Sequence, residues 1–260
     1  MLPDPISIGP VSLHMYGVLL ALGVLAGVTL AEWLHRKEGG KPGRMVDLAV
    51  FVVLAGLVGA RIIFVLVNWD YYVNAPLEIP MFWQGGLVFF GGLAGGGAVF
   101  ILTARHFGLP VMGMMDIGAA GVCLGHAFGR LGCFSAGCCY GKPADLPWAV
   151  TFTDPHCLAV EILNIPVHPT QLYSSFFLFA LAAFLVCLHP RRSFPGQMAA
   201  AYLILYGLFR FGVEFFRGDP RGGFSLLGAT LSIGQWMSLA AVAAGAALYL
   251  FLGQRSASRS

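Results

Sequence analysis

The stretch VDLAVFVVLAGLVGARIIFVLV, residues 46–67, decides the class of fold. Apart from Asp47 near its start and Arg61 in its second half, it is an unbroken apolar run. About 20 mostly apolar residues in helical form cross the hydrocarbon of a bilayer, and a helix satisfies its own backbone there. A helix on the surface of a soluble domain keeps a polar face, and this run has none. Working outward along the chain, similar stretches recur near residues 12–34, 85–104, 111–128, 171–188, 198–216 and 226–252. The sequence therefore predicts an all-α polytopic membrane protein: one membrane domain over residues 1–260, about seven transmembrane helices and a small external cap at 129–170. Composition agrees, with 58% hydrophobic and only 10% charged residues, far from the balance of a soluble domain. A net charge of +3 without a basic tract excludes a nucleic-acid-binding role and points to membrane lipids as partners. The segment before the first span has no Lys or Arg and no small-residue cleavage site follows, so that span is expected to be permanent.

Orientation follows from Lys and Arg in alternate connections, since cytoplasmic loops retain them. One side carries Arg36, Lys37, Lys41, Arg44, Arg105, Arg191, Arg192, Arg255 and Arg259; the other carries Arg130, Lys142, Arg217 and Arg221. This predicts an external N-terminus and a cytoplasmic C-terminus. Arg61 and Arg210 fall inside spans. Those two and the four on the sparse side are the basic residues that orientation leaves unexplained, and function is sought among them.

The connection 129–170 is long and rich in Gly, Pro and Cys, and long ordered loops are commonly functional. The third span, GGLVFFGGLAGGGAVFILTA, carries seven glycines. They permit either close helix packing or broken backbone beside a cavity. A zinc HExxH motif, a phosphate-binding loop, a dinucleotide fingerprint and an inverted repeat are all absent, so no cofactor is expected.

The sixth span, AYLILYGLFRFGVEFFRGDP, sets Tyr206, Arg210 and Glu214 at four-residue intervals on one helix face. Charges at that depth are costly and conventionally mark function. A simple Arg210–Glu214 ion pair is the bland alternative, although Arg before Glu is the weaker order along a helix. In GHAFGRLGCFSAGCCYGKP, His126 precedes Arg130, and glycines follow at 132, 137 and 141. A guanidinium fork with nearby glycine backbone suits a phosphate; the alternative is an arginine snorkelling to the interface. Cys133, Cys138, Cys139 and Cys157 admit three readings: disulfides or buried thiols in an oxidising compartment, a nucleophile activated by Arg130, or a metal site. The spacing C-x4-C-C matches no common zinc pattern, which argues against the last. Cys123 and Cys187 are expected to pack in spans. VHPTQLYSSFF opens the fifth span and brings His168, Gln171 and Tyr173 to the external interface, where an imidazole can move a proton. His14 and Tyr16 sit at the outer end of the first span. For the deep Arg61, Asp47 and Asp116 are the acidic candidates.

In this order, DPISIGPVSLHMYG, GAR, GGLVFFGGLAGG, GRLGCF with YGKP, HPTQLY and YGLFRFGVEFFRGDP, the sequence resembles the prolipoprotein diacylglyceryl transferases over nearly its whole length. The resemblance implies transfer of the diacylglyceryl group of phosphatidylglycerol to the lipobox cysteine of a prolipoprotein signal peptide, with release of glycerol phosphate, at the bacterial cytoplasmic (inner) membrane. It implies Arg130, Arg210 and Glu214 as catalytic residues, and His168 is added to them from its place at the external interface. Substrate contacts are implied for Arg130, Gly132, Cys133, Gly141, Tyr16, Tyr206, Gln171 and Tyr173. The sequence departs from the family's pattern at Phe90, where a histidine is common, and at Cys133, where asparagine is common. His168 is taken as the substitute proton acceptor. Two other functions share these features: a diverged relative using the Cys133, Cys138 and Cys139 cluster for metal or redox chemistry, and a phospholipid-binding protein without turnover.

Overall fold

The computed structural model describes residues 6–8, 11–219, 223–226 and 229–257; Arg221 and Arg259, counted above for orientation, lie outside them. Among the described residues there are eight α-helices: α1 (Met15–Lys37), α2 (Arg44–Val67), the short α3 (Trp69–Tyr72), α4 (Phe89–His106), α5 (Val111–Ala136), α6 (Thr170–Leu188), α7 (Gln197–Val213) and α8 (Ile233–Ala257). Six of them are long and apolar enough to cross a membrane. The remaining long helix, α4, has 18 residues, five of them glycine, and ends on Arg105 and His106, which dilutes its hydropathy. Three two-stranded antiparallel hairpins complete the described fold: β1 (Ile6–Ile8) with β2 (Val11–Leu13), β3 (Val150–Thr151) with β4 (Pro166–Val167), and β5 (Gly223–Leu226) with β6 (Ala229–Ser232). The protein is an all-α, multi-pass membrane protein. Large apolar side chains such as Phe176, 72% exposed, cover its outer helical faces, the arrangement expected where lipid is the solvent.

Three boundaries differ from the sequence reading. The helix expected over 111–128 continues to Ala136, because none of the glycines at 129 and 132 is followed by a proline or capping residue that would stop it. The last span is helical only from Ile233; Leu226 and Ala229–Ser232, expected to begin it, belong to the strands β5 and β6. Finally, α7 tightens into a 3-10 turn at Glu214–Phe216.

The chain divides into two compact units, Met1–Ala31 with Met115–Ser260, and Glu32–Met114. In the smaller unit α2 and α4 touch through glycine. A Cβ on Gly59 would lie 2.5 Å from the Gly91 carbonyl oxygen, and one on Gly91 only 2.3 Å from that of Gly59. Helices in lipid associate by such close packing because no hydrophobic force separates them from the solvent. The Glu32 carboxylate accepts the Gly43 and Met45 amides, at 2.7 and 3.2 Å, and so satisfies donors at the start of α2. Arg61 donates to the carbonyls of Glu78 (2.6 Å), Ile79 (2.8 Å), Gly85 (2.8 Å) and Gly86 (3.2 Å). It thereby pins the connection between α3 and α4. Neither acidic candidate is its partner: Asp47 pairs with Arg44 at 3.9 Å, and Asp116 serves α7.

In the larger unit the same device joins α1 to α5, where a Cβ on Gly27 would come 2.5 Å from the Gly121 carbonyl. α5 meets α6 through hydrogen bonds from Ser175 to the Ala127 carbonyl (3.0 Å) and from Cys123 to the Leu178 carbonyl (3.2 Å). The fully buried Asp116 accepts the amides of Gly196 (2.8 Å) and Ala199 (2.9 Å) at the start of α7, with Arg192 3.8 Å away. Two unpaired helix N–H groups and a buried carboxylate are thus mutually satisfied. The segment between α5 and α6 encloses its own small core of Tyr140, Phe152, Cys157, Ala159 and Val167.

Candidate active site

The two arginines singled out from sequence lie on α5 and α7 and share a neighbour, His126. Arg130 donates from Nε to His126 Nε2 at 3.3 Å, one helical turn away on α5. The imidazole stands edge-on to the Tyr206 ring, 5.2 Å between centroids, and lies within electrostatic reach of both Arg130 and Arg210. Arg130 also interacts with the Tyr206 hydroxyl. One guanidinium is thus bonded to this imidazole and a second lies within its electrostatic reach, in helices apolar enough to cross a bilayer. A cationic site there favours an anionic ligand strongly, because little water screens it.

Arg210 is oriented by a local network. Its guanidinium hydrogen-bonds to the Glu214 carboxylate, whose other oxygen accepts from Ser232 Oγ at 2.7 Å. Ser232 Oγ in turn accepts the Gln235 amide at 3.2 Å, and Gln235 Oε1 accepts the Ser232 amide at 3.1 Å. The backbone of α8 comes so close that a Cβ on Gly234 would sit 2.8 Å from Glu214 Oε1 and 2.9 Å from Arg210 Nη2. The β5–β6 hairpin and the first turn of α8 thus lock the Arg210–Glu214 pair. Tyr16, 42% exposed, rests on Gly132, where an added Cβ would meet its ring at 3.1 Å.

The other expected site residues divide. His168 Nδ1 lies 3.2 Å from the Tyr173 hydroxyl, which accepts from Trp148 Nε1 at 2.9 Å, and its ring packs on Phe216 at 5.1 Å. These partners orient the imidazole from the cap side. Gln171, expected to touch substrate, is instead fully buried and donates to the Cys138 carbonyl at 2.8 Å. Its role is to shape the turn after α5. Gly141, expected to offer its amide to a phosphate, gives it to the His168 carbonyl at 3.0 Å. The absence of a side chain there serves packing, since a Cβ would lie 2.5 Å from His168 and 2.8 Å from the Phe216 carbonyl. Phe90 stands in the first turn of α4, mostly exposed, with its ring 5.9 Å from Phe89.

All six cysteines are free thiols, Cys123 and Cys157 among them buried, so the reading as disulfides or buried thiols is met by its thiol half. Cys133, Cys138 and Cys139 instead converge, their sulfur atoms all within 4.8 Å of one another. Hydrogen bonds among the three thiols push Cys138 up and hold Cys139 well below the usual thiol range, with the Arg217 guanidinium adding to the second effect. Arg217 also grips Asp219 through two contacts of 2.8 and 2.7 Å. In the sequence the three cysteines stand out but their convergence does not, and the roles of Ser232 and Gly234 leave no mark. His126 and Asp116 do carry a signal, each an ionisable residue inside an apolar span, although the partners of neither can be read from it.

Fold and site define a class: a multi-pass membrane protein with a cationic centre built into its helices. The comparisons narrow it. The family model described as prolipoprotein diacylglyceryl transferase matches residues 3–251. Curated relatives named phosphatidylglycerol–prolipoprotein diacylglyceryl transferase include that of Clostridium tetani, 36% identical over 90% of this chain and 90% of its own. Those of Methylobacillus flagellatus (38%, covering 93% and 94%) and Bordetella parapertussis (38%, covering 95% and 95%) are similar over comparable lengths. The chain belongs to the prolipoprotein diacylglyceryl transferase family, and it is a transferase.

Proposed function

We propose that this chain transfers the diacylglyceryl group of phosphatidylglycerol to the thiol of a lipobox cysteine in a prolipoprotein signal peptide. The thiol sulfur attacks the glyceryl carbon that bears the phosphate ester. A carbon–sulfur bond forms, the carbon–oxygen bond breaks with its electron pair going to the phosphate oxygen, and glycerol phosphate leaves. The sulfur's proton passes to a protein base and then to water or the departing phosphate. The observation that carries this reading is the pair of guanidinium groups, Arg130 and Arg210, gathered around His126 within apolar helices.

Each residue then has a physical task. Arg130 and Arg210 hold the phosphodiester and stabilise the charge that grows on the leaving group, an effect magnified where water is excluded. Glu214, fixed by Ser232, aims Arg210. Tyr16 and Tyr206 flank the headgroup, and Gly132 gives Tyr16 its seat. His168, oriented through Tyr173 and Trp148, takes the thiol proton, since the thiolate is the effective nucleophile. The reaction is placed in the bacterial cytoplasmic membrane, with the N-terminus outside, the cap of residues 129–170 external and the C-terminus cytoplasmic. The asymmetry of Lys and Arg between the two sets of loops supports this orientation.

The test is direct. Purified protein is mixed with phosphatidylglycerol and a lipobox peptide, and the product is weighed by mass spectrometry together with released glycerol phosphate. A peptide gaining one diacylglyceryl group per glycerol phosphate released is expected, and Arg130→Ala or Arg210→Ala lowers the rate by about 100-fold or more. Full turnover in either variant, with folding intact, rejects the phosphate-site assignment.

A further inference from the structure

The thiol triad is built with more care than packing needs. Cys133 lies in the last turn of α5. The helix then closes by two backbone bonds, from the Gly137 amide to the Phe134 carbonyl (3.2 Å) and from the Cys138 amide to the Cys133 carbonyl (3.1 Å). Gly137, at φ 72°, supplies the left-handed residue that this helix ending requires. The next step is the unusual one: Cys139 also sits in the left-handed region, at φ 66°, a conformation that costs a residue with a Cβ about 1–2 kcal/mol. That conformation persists because α6 fixes both carbonyls of the pair, Thr170 Oγ1 donating to Cys139 (2.8 Å) and Gln171 Nε2 to Cys138 (2.8 Å). Backbone held in a costly conformation by surrounding bonds marks a position where side-chain placement matters. Its outcome here is three sulfur atoms within 4.8 Å.

We propose that Cys133, Cys138 and Cys139 form a binding site for a thiophilic closed-shell metal ion, zinc(II) or copper(I). Sulfur-only donor sets select these ions over magnesium, calcium or manganese. Tetrahedral zinc at about 2.3 Å from each sulfur places sulfur atoms about 3.8 Å apart, within the separations the turn already imposes. The C-x4-C-C spacing, which argued against a metal when read as a string, is overridden by the helix ending that folds Cys138 and Cys139 back over Cys133. Charge also fits. Three thiolates and a zinc ion carry a net charge of −1, and the guanidinium of Arg217 stands against Cys139 to balance it. Three protein ligands leave a fourth position for an exogenous ligand, the arrangement of reactive rather than purely structural zinc. Beside the cluster, Gln171 Oε1 is fully buried and has no hydrogen-bond partner among the described residues, although its own amide nitrogen binds the Cys138 carbonyl. A water or other donor in the fourth position would satisfy such an acceptor. The site stands apart from the transferase reading, because binding is measured without turnover.

The test uses the full chain in detergent, reduced and then loaded with zinc(II) or, separately, copper(I), with unbound metal removed by gel filtration. Metal analysis is expected to find one ion per chain. Cys133→Ser and Cys139→Ser lose it, and Cys187→Ser, on α6 and exposed, keeps it. Cobalt(II) in place of zinc shows a thiolate charge-transfer band that vanishes in the same two variants. Should those variants fail to fold, maleimide labelling of the unaltered chain decides: metal protects Cys133, Cys138 and Cys139 while Cys187 still reacts. Trace metal only, an ion retained in both variants, equal labelling with and without metal, or a disulfide within the triad in protein trapped at lysis would each overturn the proposal.

Discussion

Arg61 and Arg210 look alike in the sequence, each an isolated cation in an apolar helix, yet their surroundings differ in kind. Arg61 spends its donors on four backbone carbonyls of the connection between α3 and α4, so its task is to fold that connection. Removing it takes four hydrogen bonds from a half-buried connection, each worth about 0.5–1.5 kcal/mol net. Arg61→Ala is therefore expected to speed limited proteolysis between residues 69 and 88 while the other connections keep their resistance; unchanged cleavage there would contradict this. Arg210 meets a carboxylate fixed in turn by Ser232. Ser232→Ala removes one 2.7 Å bond from Glu214 and nothing from Arg210 directly, so about a tenfold fall in kcat is expected with folding unchanged. Arg210→Lys should not rescue Arg210→Ala, because an ammonium lacks the planar fork. His168→Gln is expected to lower kcat by about 100-fold without weakening phosphatidylglycerol binding, as read from turnover and from lipid retained on the purified protein. At this scale the sequence was informative about which residues are out of place in lipid. It could not assign their partners, since four carbonyls contributed by a connection carry no residue-type signature.

Helices were legible where hydropathy is continuous, and their ends were not. The end of α5 is not legible in hydropathy because Arg130 and its glycines break the apolar run, whereas the helix carries Arg130 in its interior and stops only at the left-handed Gly137. The start of α8 is not legible because an apolar hairpin and an apolar helix look the same in composition over a few residues. The glycines, ambiguous in sequence between a cavity and close packing, resolve to close packing where α2 meets α4 and α1 meets α5. Both contacts are carbonyl-limited, so no side-chain rearrangement can make room for a Cβ. Gly59→Val and Gly27→Val are each expected to lower the Tm of the detergent-solubilised protein by several degrees, in keeping with about 1–3 kcal/mol of overpacking. Gly97→Ala, at a position with open space, leaves the Tm in place. Scanning fluorimetry separates the two outcomes.

For the molecule as a whole, membrane character and family could be read from the chain itself, and the cationic centre partly so. Its two arginines stand 80 residues apart in sequence, and only the pairing of α5 with α7 brings them to one imidazole. What sets that pairing lies at the opposite end of both helices. Asp116 near the start of α5 accepts the amide of Gly196 at the start of α7. Fourteen residues separate Asp116 from Arg130, and fourteen separate Gly196 from Arg210. At 1.5 Å per residue, each arginine lies roughly 21 Å along its helix from the shared tie. Asp116 thus works as a depth gauge. It zeroes two rulers at one level so that both cations stand at the same distance from it, which is what the proposed phosphate site requires. A slip of one helical turn would separate them by about 5.4 Å. Asp116→Ala is accordingly expected to cost stability by leaving two helix amides unpaired and also to raise the KM for phosphatidylglycerol. A KM unchanged in a folded variant would show that the level is set elsewhere.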